Sequence, residues 1–521
     1  ALEGATTGVG TDGVFAGGAP VLPGWSPRTS AFLLSGLLLM LGLFFPDKRT
    51  DELMTRVSWV LLAVAALTDR EGPLRTRLRL LGVLYPATLL AAAPALLAHD
   101  QAGAALRFFF RYQNWLIWLA VLWMATPHLL QFARRYRAVP CLCVPSLTVA
   151  VLLFDFLLMA SAMGTGDSKI SMKHLGAEAL PYSGLFLVMV RLLPAAPQGQ
   201  AALVRRGALA AIAAVLAGML AVVAVHAAGG TAAEWLRELE WIRVEPDPAA
   251  PKRLQFPFEH HNRAGYFAAC ALLFGAAAAA AAPSRMERLA ASGIAALALL
   301  VLPFPMTRGA ILAASVGGAA AVVGTVIVRG GRMAKALWLL PVVLPLLWFA
   351  LPEAHRRHVT ATFSARTVDP SETNTVVSRF TLWRFTAEMI AERPMLGFGY
   401  GFENFEERLK EMYPAQAAAL EGSSHAHNLW LEIAAESGLP AAAAYLLMTL
   451  LQFHVLARGW QVARHRGHPL AMGLLVWMGL EIAIQVYALT NHPLRRNIGF
   501  FTWAQWATGT ALAGTLVYRK E

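Results

Sequence analysis

The chain has 521 residues, of which 57% are hydrophobic and only 15% are charged, and its mean hydropathy is +0.51. One soluble core could not bury so much apolar surface, so the composition excludes an ordinary soluble protein. The formal net charge of +12 is compatible with a nucleic-acid partner, but the Arg and Lys residues stand in short clusters between apolar runs, as topology signals do. We therefore expect a membrane protein that contacts membrane lipids and no nucleic acid.

Residues 1–26 are rich in Gly, Ala and Thr and lack the basic start of a signal peptide, which predicts a flexible N-terminal tail. The three cysteines, Cys141, Cys143 and Cys270, lie in or beside apolar runs and form no C-x-x-C pair. Such spacing is not typical of a disulfide framework or a zinc site, so we expect buried packing residues.

Apolar runs long enough to cross the hydrocarbon core recur over residues 27–351 and again over 429–521. They predict an all-α polytopic membrane protein, a bundle of about 12 to 14 transmembrane helices. Segments rich in Ala and Gly, such as 268–282, are weakly apolar, but their small side chains favour close packing inside the bundle. The predicted spans are 30–46, 54–68, 79–98, 114–131, 141–163, 179–195, 207–228, 264–283, 288–306, 309–328, 334–351, 429–457, 469–489 and 498–517.

The orientation of the bundle follows from short basic connections between spans, because such clusters stay in the cytoplasm. Strict alternation places five clusters on one side, whereas Lys48, Arg49 and Arg56 in the first hairpin fall on the other. The polar segments near 229–263 and at 352–428 then lie on the extracytoplasmic face, and the length of the second indicates a functional loop. The five clusters are Arg134, Arg135 and Arg137; Arg205 and Arg206; Arg285 and Arg288; Arg329, Arg332 and Lys335; and Arg458, Arg464 and Arg466.

The long loop contains two predicted helices. Apolar residues recur at helical spacing over 378–392, which predicts an amphipathic helix near the membrane surface. Pro394 would end it, the glycine-rich run 397–401 supplies a tight turn, and residues 402–412 can resume a helix. The apolar residues behind the first prediction are Phe380, Trp383, Ala387 and Ile390.

The most informative stretch lies where this loop returns to the membrane, at Ser-Ser-His-Ala-His-Asn-Leu-Trp-Leu-Glu over residues 423–432. With Gly438, it resembles the signature of the O-antigen ligase and polymerase superfamily, in which His-Asn precedes a nine-residue spacer and then Gly. The upstream run 393–401 resembles the family's Pro-Leu-Leu-Gly-x-Gly element, whereas Ala441 departs from the Gly, Thr or Tyr often found in ligases. The resemblance covers the C-terminal half and implies a GT-C-like membrane bundle.

The resemblance implies that His427 is catalytic, with Asn428 and Gly438 supporting it. A histidine with an ordinary pKa near 6.5 can accept a proton at neutral pH, as a general base for a sugar hydroxyl must. Without the motif, His427 would more simply be a polar residue at the start of a membrane helix. His425 is the alternative base, although no Asn follows it.

Arg263 and Arg308 stand at the extracytoplasmic ends of two predicted spans. They resemble family elements, an Asn-containing helix start that includes His261 and Asn262, and a Thr-Arg-Gly step. The resemblance implies that they hold the diphosphate of a lipid-linked donor, a task that suits the planar, permanently charged guanidinium. Arginines also anchor membrane ends at the headgroups, and we expect this of most other basic residues on that face, with Arg379 the exception that joins the diphosphate site. The others are Arg243, Arg253, Arg384, Arg495 and Arg496.

We expect neither a cofactor nor a metal. His260 and His261 could join His427 in a metal site, but carboxylates at ligand spacing are not evident and the chain has no Asp-x-Asp motif. The resemblance also implies metal-independent transfer. Glu432 and Glu436 lie one helical turn apart, and we expect them to face a cavity in the bundle rather than to react.

The implied reaction is an inverting transfer of a glycan from undecaprenyl diphosphate to an acceptor hydroxyl at the periplasmic face of the bacterial inner membrane. The expected acceptor is lipid A-core, as in O-antigen ligation for lipopolysaccharide biosynthesis. An O-antigen or exopolysaccharide polymerase and a protein O-oligosaccharyltransferase stay open as alternatives. A membrane transporter or flippase is the alternative from another class, and it predicts ionisable residues midway through several spans.

Overall fold

The computed structural model describes residues 114–135, 144–164, 167–195, 198–239, 241–243, 253–258, 260–329, 375–414 and 425–518. Several expectations lie outside these ranges. They are the N-terminal tail, the spans at 30–46, 54–68, 79–98 and 334–351, and the packing of Cys141 and Cys143. Cys270 is described, and it is a buried free thiol, as expected.

The described residues are almost entirely helical, which confirms the all-α class. One two-residue antiparallel pairing interrupts them, in which Ile242 pairs with Leu254 and Arg243 with Arg253. The elements in chain order are α1 (Asn114–Arg135), α2 (Val144–Met163), α3 (Ser168–His174), a π-helical segment (Leu175–Ala179), α4 (Leu180–Ala195), α5 (Gln198–Ala228), α6 (Gly230–Glu238), β1 (Ile242–Arg243), β2 (Arg253–Leu254), α7 (His261–Ala281), α8 (Arg285–Val301), α9 (Arg308–Arg329), α10 (Thr375–Glu392), α11 (Phe402–Met412), α12 (Leu429–His465), α13 (Leu470–Ala488) and α14 (Arg496–Tyr518).

Six stretches of these helices are long and apolar enough to cross a membrane. The protein is therefore an all-α polytopic membrane protein. The total of 12 to 14 spans stays a prediction, because six is a count of the described residues alone. The six stretches are Val144–Met163, Arg205–Ala228, His261–Ala281, Arg308–Val328, Leu429–His465 and Leu470–Ala488.

Several predicted spans have different bounds in the structure. The span at 288–306 ends as a helix at Val301, because Pro303 and Pro305 follow and cannot continue it. The span at 429–457 runs on to His465 as α12.

The helices of the bundle pack closely where small residues meet. At the crossing of α9 and α13, a Cβ on Gly317 would overlap the backbone oxygen of Gly479, and the reverse also holds. The expectation for residues 268–282 is confirmed, because α7 buries half of its Ala side chains and exposes none fully, and Gly275 lies against the backbone of Ala295 in α8. Close packing of this kind stabilises helices in lipid, where no hydrophobic effect drives them together.

The two ends of the bundle differ in character. Glu287, at the start of α8, accepts from Nη2 of Arg205 at 2.7 Å and from Nε of Arg206 at 3.1 Å. Two of the predicted basic clusters therefore lie at the same end of the bundle. Because α7 and α8 are antiparallel neighbours, the beginning of α7 lies at the opposite end.

The segment from α10 to the start of α12 has a small core of its own. The buried hydrophobic residues that α10 shows in the described part of the chain are Leu382, Phe385 and Met389, so the predicted apolar stripe is wrong in detail. Phe380 is 62% exposed and Ala387 is also exposed. The reason is that α10 packs on α11 and on the beginning of α12, and this protein partner selects a different helix face from the one that the sequence pattern favours. The eight core residues are Leu382, Phe385, Met389, Phe398, Phe405, Leu409, Ala426 and Ala435.

Candidate active site

His427 lies in a tight turn that leads into α12. Its φ of 50° falls in the left-handed region, which residues other than glycine seldom occupy. The backbone N–H of His427 donates to Nδ1 of His425 at 3.2 Å. The indole N–H of Trp383, in α10, donates to the carbonyl of Ala426 at 2.9 Å. The turn is therefore held by one hydrogen bond between its own residues and by a second one from α10.

Asn428 caps the helix that follows this turn. Its Oδ1 accepts from the backbone N–H groups of Trp430 and Leu431, at 3.0 and 3.2 Å. These are two of the donors that a helix start leaves unpaired. The Asn in the His-Asn pair thus has a clear structural role, since it fixes where α12 begins.

Gly438 is the last residue of the motif, and its backbone conformation shows why a glycine is needed there. Its φ of 85° breaks the regular backbone of α12, and a Cβ there would overlap the carbonyl of Met395. The break lets the glycine-rich run dock on the helix, because Leu439 N–H donates to the carbonyl of Pro394 at 2.7 Å and Phe398 N–H donates to that of Ala435 at 2.9 Å. The spacer between His-Asn and Gly is therefore one stretch of helix that joins the turn to this docking point.

A second part of the site is the beginning of α7. His260 caps this helix, because its Nδ1 accepts from the backbone N–H of Asn262 at 3.1 Å. The Asn262 side chain donates to Oδ1 of Asn491 at 3.2 Å, and the Asn491 side chain hydrogen-bonds to His427. The predicted residues on α7 and on α12 therefore meet through Asn491.

Arg308, Arg253 and Arg379 come together from three elements, α9, β2 and α10. Arg308 follows Thr307, whose hydroxyl donates to the carbonyl of His261 at 3.0 Å. Arg253 acts electrostatically on Arg308 and contacts Nε2 of His261 at 3.1 Å. Burial lowers the pKa of Arg379, and the charge of Arg308 lowers it further. Neighbouring cations of this kind are typical of an anion site.

Arg263 belongs to the same region. Its Nη1 donates to the carbonyl of Phe258 at 3.4 Å, and its charge acts on Tyr487. The Tyr487 hydroxyl donates to the carbonyl of Asn262 at 2.8 Å and also interacts with Arg379. Arg263 is thus held by a backbone carbonyl, and it shares Tyr487 as a neighbour with Arg379.

His427 is neutral in this environment. Burial, together with the charges of Arg379 and His260, lowers its pKa to about 3. Its Nδ1 is buried and has no hydrogen-bond partner among the described residues. An unprotonated ring can accept a proton, but arginines nearby disfavour the imidazolium product. An anionic ligand beside these arginines would offset that effect.

Burial also sets the state of His425. It lowers the pKa of His425 well below the ordinary value, and electrostatic interactions with His427, His492 and Arg495 act in the same direction. His425 is therefore neutral as well, which agrees with its Nδ1 acting as an acceptor.

Behind the turn lies a buried cluster of charges. Arg495 forms an ion pair with Glu436 and lies 3.9 Å from Glu432, measured from Nε to Oε1. Glu432 is fully buried, and His492 and His425 lie 3.6 and 3.7 Å from its oxygens. Burial opposes the charge of Arg495, but Glu436, Tyr400 and Glu432 outweigh it and raise its pKa. The cluster stabilises the junction of α12, α14 and the long loop.

The structure corrects two expectations about basic residues. Arg495 is not a headgroup anchor, because it is buried and paired with Glu436, a partner far away in the sequence. Arg253 is not an anchor either, since the short β pairing brings it beside Arg308 and His261. Arg379 lies near Arg308, and its role in binding the diphosphate stays a prediction.

Sequence reasoning missed Asn491 and His492. They lie shortly after the end of α13 and precede Arg495, so an Asn-His pair so close to a basic residue is the signal that could have marked them. Among the described residues, no group of three His, Cys, Asp or Glu side chains has the arrangement to hold a metal ion. His260 stacks on His261, with ring centroids 4.3 Å apart.

Comparison with known protein families gives this geometry a context. Residues 293–446 match the model of a family described as O-antigen ligase. This part of the chain is therefore similar to the O-antigen ligase family. The match begins within α8 and ends within α12, so it includes Arg308, Arg379, His427 and Gly438. The match supports the superfamily that the motif resembles, and that family implies transfer of a lipid-linked glycan to a glycan acceptor in general.

A comparison with curated proteins gave no match. The matched region leaves Arg263, Asn262 and Asn491 outside its ends, although Asn491 hydrogen-bonds both to Asn262 and to the matched His427.

Proposed function

We propose that this protein moves a glycan from undecaprenyl diphosphate to a hydroxyl of lipid A-core, as an O-antigen ligase at the periplasmic face of the bacterial inner membrane. The observation that carries the proposal is the meeting of Arg308, Arg379 and Arg253 beside the neutral base His427. Arginines gathered from three separate elements suit a multiply charged anion, and a base at their edge suits an attacking hydroxyl.

The chemistry is a single displacement with inversion. The hydroxyl oxygen of the acceptor attacks the anomeric carbon, and its proton passes to the His427 ring. The bond from that carbon to the diphosphate oxygen breaks, and the electron pair leaves with the lipid diphosphate. Glu432, the carboxylate of the motif that lies next to His425, is fully buried behind the turn, which favours this route over a covalent intermediate on a carboxylate.

Arg308 and Arg379 would bind the leaving diphosphate, and Arg263 would complete the set. Each guanidinium offers forked donors to phosphate oxygens, so the charge that develops on the leaving group is stabilised. The structure supports adding Arg253, since it acts electrostatically on Arg308. Diphosphate binding would also raise the pKa of His427, because its negative charge opposes that of Arg379. The donor would thus strengthen the base that uses it.

The acceptor distinguishes the ligase from two related transferases. A polymerase would join repeat units, and a protein O-oligosaccharyltransferase would glycosylate a protein hydroxyl. Neither long loop contains the Arg-x10-Gly spacing that polymerases often have, and this favours the ligase.

A transporter or flippase would need ionisable residues along a path through the bundle. Asp155 and Glu481 are buried in α2 and α13. The arginine cluster, however, is at one end of the bundle beside the family motif, and this favours chemistry over passage.

The test is a transfer assay with purified protein in lipid nanodiscs. The donor is an O-antigen glycan on undecaprenyl diphosphate, and the acceptor is lipid A-core, a second donor molecule or an acceptor peptide in parallel reactions. A product that forms only with lipid A-core supports the ligase. Chain elongation without core would replace it with the polymerase, and movement of donor across the bilayer without any transfer would support the flippase.

A further inference from the structure

We propose that His425 is a positioning residue whose Nδ1 atom holds the backbone of His427 in the left-handed conformation that directs the His427 ring at the acceptor hydroxyl. This inference rests on the proposed function, because it takes His427 to be the base. It gives His425 a role that involves no contact with the substrate.

The left-handed backbone of His427 needs a contact that holds it in place. At a φ of 50°, a residue with a Cβ is in a sparsely populated conformation, and such residues persist only where the surrounding contacts enforce them. The His427 N–H donates a hydrogen bond to His425 Nδ1 at 3.2 Å. The indole N–H of Trp383 donates to the carbonyl of Ala426, the residue between the two histidines. Residues in strained conformations cluster at active sites, where the strain sets the direction of a side chain.

The hydrogen bond that His425 Nδ1 accepts has the pattern of an Asx turn. Nδ1 of a histidine occupies the same branch position as Oδ1 of an asparagine, and in both cases it accepts from the backbone N–H two residues later. In the described part of the chain, the same bond occurs at two other helix starts. His260 accepts from Asn262 N–H at 3.1 Å, and His468 accepts from Leu470 N–H at 3.2 Å. Only the first of these lies in the candidate site.

The surroundings of His425 keep Nδ1 available as an acceptor. Burial and the facing groups His427, His492, Arg495 and His260 all lower its pKa, so the ring is neutral. Glu432 lies 3.7 Å from the same nitrogen. Since Nδ1 accepts, the ring proton is on Nε2, and no lone pair of His425 is free to take a proton from an acceptor hydroxyl. This assigns the base to His427 rather than to His425.

The experiment compares His425→Leu and His425→Asn in the nanodisc transfer assay, with kcat and the donor KM measured separately. Leu removes the acceptor atom, so we expect kcat to fall about 100-fold, the size of effect that a misplaced catalytic group produces. The donor KM should stay within about 3-fold, because the arginines are untouched. Asn restores an acceptor at the same branch position and should recover kcat to within about 5-fold of the wild type.

His468→Leu is the matched control, since it removes the same kind of bond at the other end of α12, near the beginning of α13. It should leave both constants unchanged, and circular dichroism should show all three variants folded. If His425→Asn is as inactive as His425→Leu while folded, His425 acts through its imidazole and the inference is wrong. If His427→Ala keeps full transfer, the proposed function fails instead, so the two failures are distinguishable.

Discussion

The side chain of Asn262 donates to Oδ1 of Asn491 at 3.2 Å, and Asn491 in turn hydrogen-bonds to His427. Asn262 directly precedes Arg263 at the beginning of α7, and Asn491 lies between α13 and α14. One polar bridge thus connects a proposed diphosphate arginine to the proposed base. Because its two asparagines lie outside the matched domain, the site depends on elements on both sides of that domain.

This bridge predicts coupled mutations. Asn491→Leu should lower kcat about 10-fold, because His427 loses a hydrogen bond that orients its ring. Asn262→Leu should have a similar effect, and the double variant should be little worse than either single one, since both remove the same connection. Steady-state kinetics of the three variants measures the coupling. Fully additive losses would show that the two asparagines act separately.

The pKa of His427 predicts the pH profile. Its value in the folded protein, about 3, is depressed from the ordinary 6.5, so the ring stays unprotonated and active as pH falls. We expect kcat/KM to be flat between about pH 8 and about pH 5, whereas an ordinary histidine base would already lose activity below about pH 6.5. The profile of kcat should turn down at higher pH than that of kcat/KM, because bound diphosphate raises the pKa of His427. Identical acid limbs for both constants would contradict this arrangement.

Gly438 should tolerate no side chain. Gly438→Ala places a Cβ against the carbonyl of Met395 at a φ of 85°, so we expect it to destabilise the protein by about 2 to 4 kcal/mol. Gly293→Ala is the matched control in α8, where a Cβ would meet nothing within 4 Å; it should be neutral or stabilise by up to about 1 kcal/mol. Thermal unfolding in nanodiscs measures both. A Gly438→Ala protein as stable as the control would mean that the glycine-rich run does not dock there.

The ion pair between Arg495 and Glu436 predicts that one substitution lowers the stability of the protein and that a second one restores it. Arg495→Met leaves Glu436 buried without its cation, which should destabilise the protein by about 3 to 5 kcal/mol. Combining it with Glu436→Leu removes the unpaired charge and should recover most of that loss, since a buried ion pair can often be replaced by apolar residues. Thermal unfolding of both variants distinguishes an essential ion pair from an exchangeable one. No recovery in the double variant would indicate that Arg495 has a further role.

His174 predicts a pH-dependent attachment of α11 to the bundle. Burial opposes its charge, but Glu178 and Glu403 outweigh it and raise its pKa to about 9, while its pairing lowers the pKa of Glu403 to about 2. For the raised histidine, the stabilisation is fully present below about pH 6.5 and is lost as pH rises through about 9. For the depressed carboxylate, it is present above about pH 4.5 and is lost as pH falls through about 2.

The matching variant is Glu403→Gln. It should lower the melting temperature at about pH 6, and the difference from wild type should shrink above about pH 9 as His174 loses its proton. Glu407→Gln, an exposed residue of the same helix, is the control. A difference that stays constant with pH would show that His174 is not charged in the native protein.

Much of the helical architecture followed from the sequence, because apolar runs of membrane length and the residues that end them are local signals. The helix over 402–412 has the predicted bounds, and proline explains why α8 ends early. The buried face of α10 could not be predicted in this way. It depends on contacts with α11 and α12, which the spacing of Phe380 and Ala387 does not contain.

Some residues of the candidate site could be predicted from the sequence, and others could not. His427 and the arginine at 308 stand in recognisable local patterns, but the role of Arg495 is set by Glu436, which lies in a different helix. Arg253 reaches the site only through the pairing of β1 with β2. The sequence alone could not reveal these pairings, because each depends on two segments that meet only after folding.

The most direct test of the whole account is transfer by His427→Ala in nanodiscs, measured in single turnover with saturating undecaprenyl-diphosphate glycan and lipid A-core. The account predicts that the rate of glycan transfer falls by about 100-fold to 10,000-fold while donor binding persists, because the arginines remain in place. Transfer at the wild-type rate by a folded His427→Ala protein would contradict it.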